Sequence, residues 1–305
     1  MGLNGIKKIT MEPYIICSIL ALVFFSSSFI IFKLTAKHSM PNPQAYFFYY
    51  FLIYAILGLV IVMVRPVDII PGNILDLKIL LPYAIPIFVG IYCLAHAMFT
   101  ADITVMAPIG NLGNVFVPVL AMLVLKESVS LEKLPWFLLI VLAGFLVSYN
   151  ERLKFKAFWN KDVLLVLIFV FCISVTRIVA PSVIKYFGYW NFIFYEFTYM
   201  GFLGLLLLTP FLYRKIKISL TPVFFLALGV VFEFLGLLFM LKALTYQLIM
   251  PVLIVSLPLS SVITFIISRF NKNLLEDHSL KTYFIRFIAM GVMLFGIVML
   301  AVQKL

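Results

Sequence analysis

The sequence predicts an all-α integral membrane protein whose ten transmembrane helices form two inverted five-helix repeats. Three observations predict it. Hydrophobic residues make up 65% of the 305 and charged residues only 11%, with a mean hydropathy of +1.18, whereas a soluble domain carries roughly 25% charged residues. Apolar runs long enough to cross a hydrocarbon core, about 20 residues of helix, recur ten times between short polar breaks. Finally, the chain resembles itself at an offset of 146 residues.

The first span, 13–33, follows Lys7 and Lys8 as a secretion signal would, but no small-residue cleavage site follows, so it reads as a retained helix. Span 2, 44–64, carries Tyr46, Tyr49, Tyr50 and Tyr54, an aromatic face suited to helix packing. Span 3, 79–100, ends near His96. Span 4, 103–125, contains Pro108 and Pro118 around Asn111 and Asn114, and span 5, 134–149, is the shortest. Span 6, 162–184, holds Arg177; span 7, 190–212, holds Glu196 with Tyr195 and Tyr199; span 8, 222–243, holds Glu233. Span 9, 247–268, contains Pro251 and Pro258, and span 10 covers 283–302. Lys33 and Lys242 lie near helix ends, where long side chains snorkel to the interface. Cys17, Cys93 and Cys172 all fall in apolar runs and read as small core residues. Neither a metal site nor a cofactor is expected.

The offset of 146 lays spans 1 to 3 over spans 6 to 8 without a gap. It matches Phe25 with Phe171, Ser28 with Ser174, Gly58 with Gly204 and Gly90 with Gly236. Spans 4 and 9 share a double proline. Because five is odd, the second copy enters the membrane from the opposite side, which gives an inverted repeat of the kind found in secondary transporters. The expected units are residues 11–150 and 160–303.

The segment PVLAMLVLKESVSLEKLPWFLLIVLAGFLV, 118–147, places Glu127 at a helix end and Gly144 late in the next helix. It resembles the signature of the drug/metabolite transporter superfamily, EamA type. The second copy is similar from Pro258 and from Gly291 to Gly296, but SRFNKNLLEDHS replaces its helix-end glutamate motif. Tyr50 and Glu196 stand where many relatives carry arginine. The resemblance implies a small-molecule transporter with cytoplasmic termini; its motifs report fold and not substrate.

A proline inside a span frees a backbone carbonyl that lipid cannot satisfy, so matched prolines in the two halves point to a site. Asn111 and Asn114 share a face of span 4, and Ser256 and Ser260 share a face of span 9. These four, with Ser28, Tyr50 and Tyr199, are candidate substrate contacts; the alternative is close packing between helices. Arg177 and Glu196 reach similar depth on consecutive helices and are expected to pair, since an isolated charge there is costly. The pair is either a brace or a site for a zwitterion. Glu233, in the middle of span 8, must be paired, protonated or wetted, and with His96 it is a candidate for proton coupling.

The favoured function is export of a small polar metabolite, an amino-acid-like zwitterion, by alternating access. The competing readings are export of hydrophobic cations, which Glu196 and Glu233 among aromatics would suit, a non-transporting scaffold or receptor, and a lipid-modifying enzyme. Net charge +11 is scattered over helix ends, which fits anionic lipid headgroups and not nucleic acid. A plasma-membrane monomer or homodimer is expected. Of 23 Lys and Arg, nine fall on the side of the termini, thirteen on the other and Arg177 within the membrane, a count that opposes the cytoplasmic termini implied by the resemblance.

Overall fold

The computed structural model describes residues 12–100, 113–124, 131–147, 161–212, 219–270 and 279–302. Among them are eleven α-helices and two short 3-10 turns, with no strand. Helix α1 is Pro13–His38, α2 Pro43–Val64 and α3 Leu81–Thr100, the last preceded by the 3-10 turn Ile74–Leu80. Next come α4 Gly113–Val124, α5 Leu134–Val147, α6 Lys161–Phe187, α7 Tyr189–Leu212 and α8 Leu220–Tyr246. Span 9 is two helices, α9 Ile249–Val255 and α10 Leu259–Phe270, and α11 is Leu280–Val302. Seven of these stretches, the α9–α10 unit counted as one, are long and apolar enough to cross a membrane. Helix α7 has 24 residues and is not among the seven.

Local chemistry sets the boundaries. Pro13 and Pro43 occupy first turns, where the missing N–H costs nothing. The Asn42 side chain accepts a hydrogen bond from the Ala45 N–H at 2.8 Å and caps α2. Between α6 and α7 the chain reverses through Gly188 alone, at φ +82°, a left-handed conformation that favours glycine. Its N–H donates to Ile184 at 2.8 Å, closing α6.

Helices adjacent in sequence are not the principal partners. The closest pairs are α1 with α8, α2 with α7, α3 with α6, and α5 with α11. Every one of these joins the first half of the chain to the second. Exchanging the halves turns α1–α8 into α6–α3 and returns the other two pairs to themselves. The glycines matched at the 146 offset sit at close crossings of these pairs. A Cβ on Gly58 would meet Thr198 of α7, its backbone nitrogen at 2.7 Å, and one on Gly204 would collide with the Phe51 ring of α2. A Cβ on Gly90 would meet Cys172 of α6 at 3.2 Å, and one on Gly236 would meet Phe25 of α1 at 2.9 Å. Small residues bring helix axes together where no hydrophobic effect drives association.

The main apolar core runs through α1 to α4 and α6 to α9. A smaller one joins α5, α9 and α11. Lys33 does not snorkel: it is buried, and its ammonium donates to the Met98 carbonyl at 3.1 Å, capping the last turn of α3. Lys242, by contrast, is exposed and lies over the rings of Tyr189 and Tyr246 at 5.7 and 5.5 Å.

Candidate functional site

A cavity of about 350 Å³ lies between the two sets of helices. Its wall is mostly apolar and aromatic, with Phe25, Phe29 and Phe32 from α1 and Phe169 from α6. Polar groups enter it at a few points. Ser28 projects from α1, Thr176 and Arg177 from α6, and Glu233 from α8. The break between α9 and α10, Ser256 to Pro258, forms part of the wall, followed by Ser260, Ser261 and Thr264 along α10. At this break the Ser256 hydroxyl turns back to the Leu253 carbonyl at 2.6 Å. Such an interruption is tolerated at membrane depth because it faces a cavity and not lipid.

Arg286 of α11 also lines the cavity, is 5% exposed and stacks its guanidinium over Tyr283 at 5.9 Å. Sequence reasoning missed it. It lies six residues past the start of α11, where a basic residue reads as a helix-end anchor. The signal available was its place inside the apolar run TYFIRFIAM, opposite the proline-broken span 9.

The expected pair of Arg177 and Glu196 does not form among the described residues. Glu196 is 2% exposed and accepts a hydrogen bond at Oε1 from the Tyr83 hydroxyl of α3 at 2.7 Å, while its Oε2 is buried without a partner. Arg177 instead faces the cavity, with a guanidinium nitrogen 4.0 Å from where a Gly113 side chain would begin. The physical reason is the helix pairing. Although α6 and α7 are joined by one glycine, α6 packs on α3 and α7 on α2, so their charged faces turn to different neighbours.

Glu233 has a phenolic partner too. Its Oε2 accepts from the Tyr50 hydroxyl of α2 at 2.7 Å. Tyr54 stacks on Tyr50 with ring centroids 4.8 Å apart and lies within electrostatic reach of both Glu196 and Glu233. Tyr54 and Tyr83 also line the cavity.

The remaining candidates divide. The cavity gathers Ser28, Arg177, Glu233, Ser256 and Ser260, and Tyr50 reaches it through Glu233. Glu196, Tyr199 and His96 are outside its wall. The Tyr199 hydroxyl donates to the Ile69 carbonyl at 3.0 Å, part of a strap in which Asn191 and Asp68 exchange two hydrogen bonds and Tyr195 donates to the Asp68 carbonyl. The His96 ring lies 4.7 Å from that of Tyr92. Asn111 is outside the described residues, and Asn114 stands in the first turn of α4. Among the described residues, no group of His, Cys, Asp or Glu could hold a metal ion.

One solved structure, described only as the crystal structure of a protein, superposes with a TM-score of 0.70 at 11% identity, over 95% of this chain and 98% of its own. That likeness shows the fold alone. No curated protein matches the chain. Residues 12–149 match the EamA-like transporter family. Over those residues the chain is similar to the EamA-like transporter family, which lies in the drug/metabolite transporter superfamily, and this match with the apolar helices makes it a multi-pass membrane protein of the transporter type.

Proposed function

We propose that this transporter moves a small zwitterion with an apolar side chain, of the amino-acid kind, through the central cavity by alternating access between two five-helix units, 11–150 and 160–303. The observation that carries the reading is the wall of the cavity. Glu233 supplies an anion for a substrate ammonium, Arg177 and Arg286 supply cations for a carboxylate, and the aromatic rings of α1 take the side chain. Hydroxyls of Ser256, Ser260 and Ser261 stand at the break of span 9, where the N-terminal end of α10 adds a positive dipole. Two arginines in the wall argue against hydrophobic cations, the closest competing substrate class. The pairing of helices across the halves supports the inverted-repeat reading, since alternating access needs two related arrangements of one set of contacts. Export across the plasma membrane with cytoplasmic termini, as a monomer or homodimer, and with Glu233 coupling the cycle to protons, completes the proposal.

The test is a thermal-shift screen of the purified protein with leucine, phenylalanine and methionine, the amines lacking their carboxylates, and a quaternary ammonium, followed by flux in proteoliposomes. A true ligand at about 100 times its dissociation constant stabilises by roughly 2.7 kcal/mol. Stabilisation and flux with the amino acids but not the amines is expected. Response to the quaternary ammonium alone would replace the zwitterion with a cation, and flux of none of them would refute the reading.

A further inference from the structure

We propose that Glu196 is a second, occluded proton-binding site and that the Tyr83 hydroxyl is its connection to the cavity. The inference deepens the proton-coupled reading above, to which it adds a residue outside the cavity wall.

Three observations carry it. Glu196 is 2% exposed, and of its two oxygens only Oε1 has a partner, the Tyr83 hydroxyl at 2.7 Å. A buried carboxyl oxygen without a donor calls for a cation, a water or a proton. No cationic side chain among the described residues meets it. Second, Tyr83 itself lines the cavity. A phenol both donates and accepts, so a proton from cavity water can add to the Tyr83 oxygen as its own hydrogen passes to Glu196 Oε1. The reverse steps return it, and no other bond is made or broken.

Third, the arrangement is the counterpart of the pair already in the wall. The 146 offset lays Tyr50 on Glu196. Tyr50 of α2 holds Glu233 of α8, and Glu196 of α7 is held by Tyr83 of α3. Exchanging the halves converts α2 and α8 into α7 and α3, and Tyr83 stands one turn before Ile87, the offset match of Glu233, so the two bonds join corresponding helix pairs with acid and phenol interchanged. One acid is open to the cavity and the other is sealed behind its phenol. The titratable groups around Glu196 are Tyr83 of α3, Tyr54 of α2, Glu233 of α8 and Tyr189 of its own helix. Two like charges in so apolar a setting oppose each other.

Infrared spectroscopy of the full chain in lipid tests this without any transported substrate, by following the carbonyl band of protonated carboxyls and its shift on exchange into heavy water. Glu196→Gln should delete one such band and Glu233→Gln another. Tyr83→Phe should keep the Glu196 band but slow its exchange by about tenfold or more, the effect of some 1.4 kcal/mol of added barrier. Should Glu196→Gln fail to fold, Glu196→Asp displaces the band instead of deleting it. Absence of a Glu196 band across the accessible pH range, or exchange as fast in Tyr83→Phe as in the parent, would overturn the proposal. Failure of every solute to move in proteoliposomes, with Tyr83-dependent exchange intact, would refute the transport reading and leave this one standing.

Discussion

Tyr50 and Glu233 meet across the halves through one hydrogen bond of 2.7 Å, and the two ends of that bond are not equivalent under mutation. Tyr50→Phe removes the donor to a half-buried acceptor that lines the cavity, at a cost of about 0.5–1.5 kcal/mol. Glu233→Gln keeps an acceptor for the phenol. The melting temperature of Tyr50→Phe in detergent should therefore fall below that of Glu233→Gln; equal values would mean that the bond contributes little. In proteoliposomes Glu233→Gln should abolish drive by an imposed pH gradient and weaken substrates bearing an ammonium, so that exchange persists only at raised substrate concentration, and a mutant still driven would remove Glu233 from coupling. Arg286→Gln should weaken ligands bearing a carboxylate by about tenfold or more, since hydrogen bonds to charged groups contribute roughly 1.5–3 kcal/mol, and leave amines unaffected. Thermal shifts at graded ligand concentration measure both. Residues of this kind were only partly legible in the sequence. Glu233 stood out because a carboxylate at mid-span is costly unless it is paired, protonated or wetted. The partner of Glu196 did not, because Tyr83 lies 113 residues away and no local spacing connects them.

At the scale of helices, what the sequence showed best was length, because the bilayer fixes it, and the paired glycines, because close crossings demand them. Gly204 and Gly291 make the test. A Cβ on Gly204 would enter the Phe51 ring, whereas one on Gly291 meets nothing within 4 Å. Gly204→Ala should destabilise by about 1–3 kcal/mol through overpacking. Gly291→Ala should be neutral or slightly stabilising, since alanine favours helix by about 1 kcal/mol over glycine. Thermal denaturation of the two variants side by side decides it; equal losses would show that the α2–α7 crossing is not as close as described. The double proline of span 9 was likewise legible as a break, and the chain does part at Ser256 to Pro258. Which helices touch was not legible. The expectation that α6 and α7 pair their charges rested on adjacency in sequence, and packing across the halves took each of them to another neighbour.

For the whole molecule, the same pairing predicts that neither half is stable alone. A chain divided between residues 148 and 160 should yield fragments that are degraded or aggregate when made separately, and that copurify when made together. A first half that is monodisperse by itself in detergent would contradict this. The cross-half pairing also bears on how the protein is made. Helix α1 leaves the ribosome about 180 residues before α8 begins, an interval of roughly 10–40 s at 5–20 residues per second. Through most of it the groove beside Gly58 is unfilled and the hydroxyls of Tyr50 and Tyr83 have no acid to meet, since Thr198 and Glu196 arrive only with α7 and Glu233 only with α8. Contacts so distant along the chain form late, and the half-made protein waits in the bilayer with its future interior turned to lipid. That waiting period is when an insertion factor holding α1 to α5 apart from other nascent chains has most to protect.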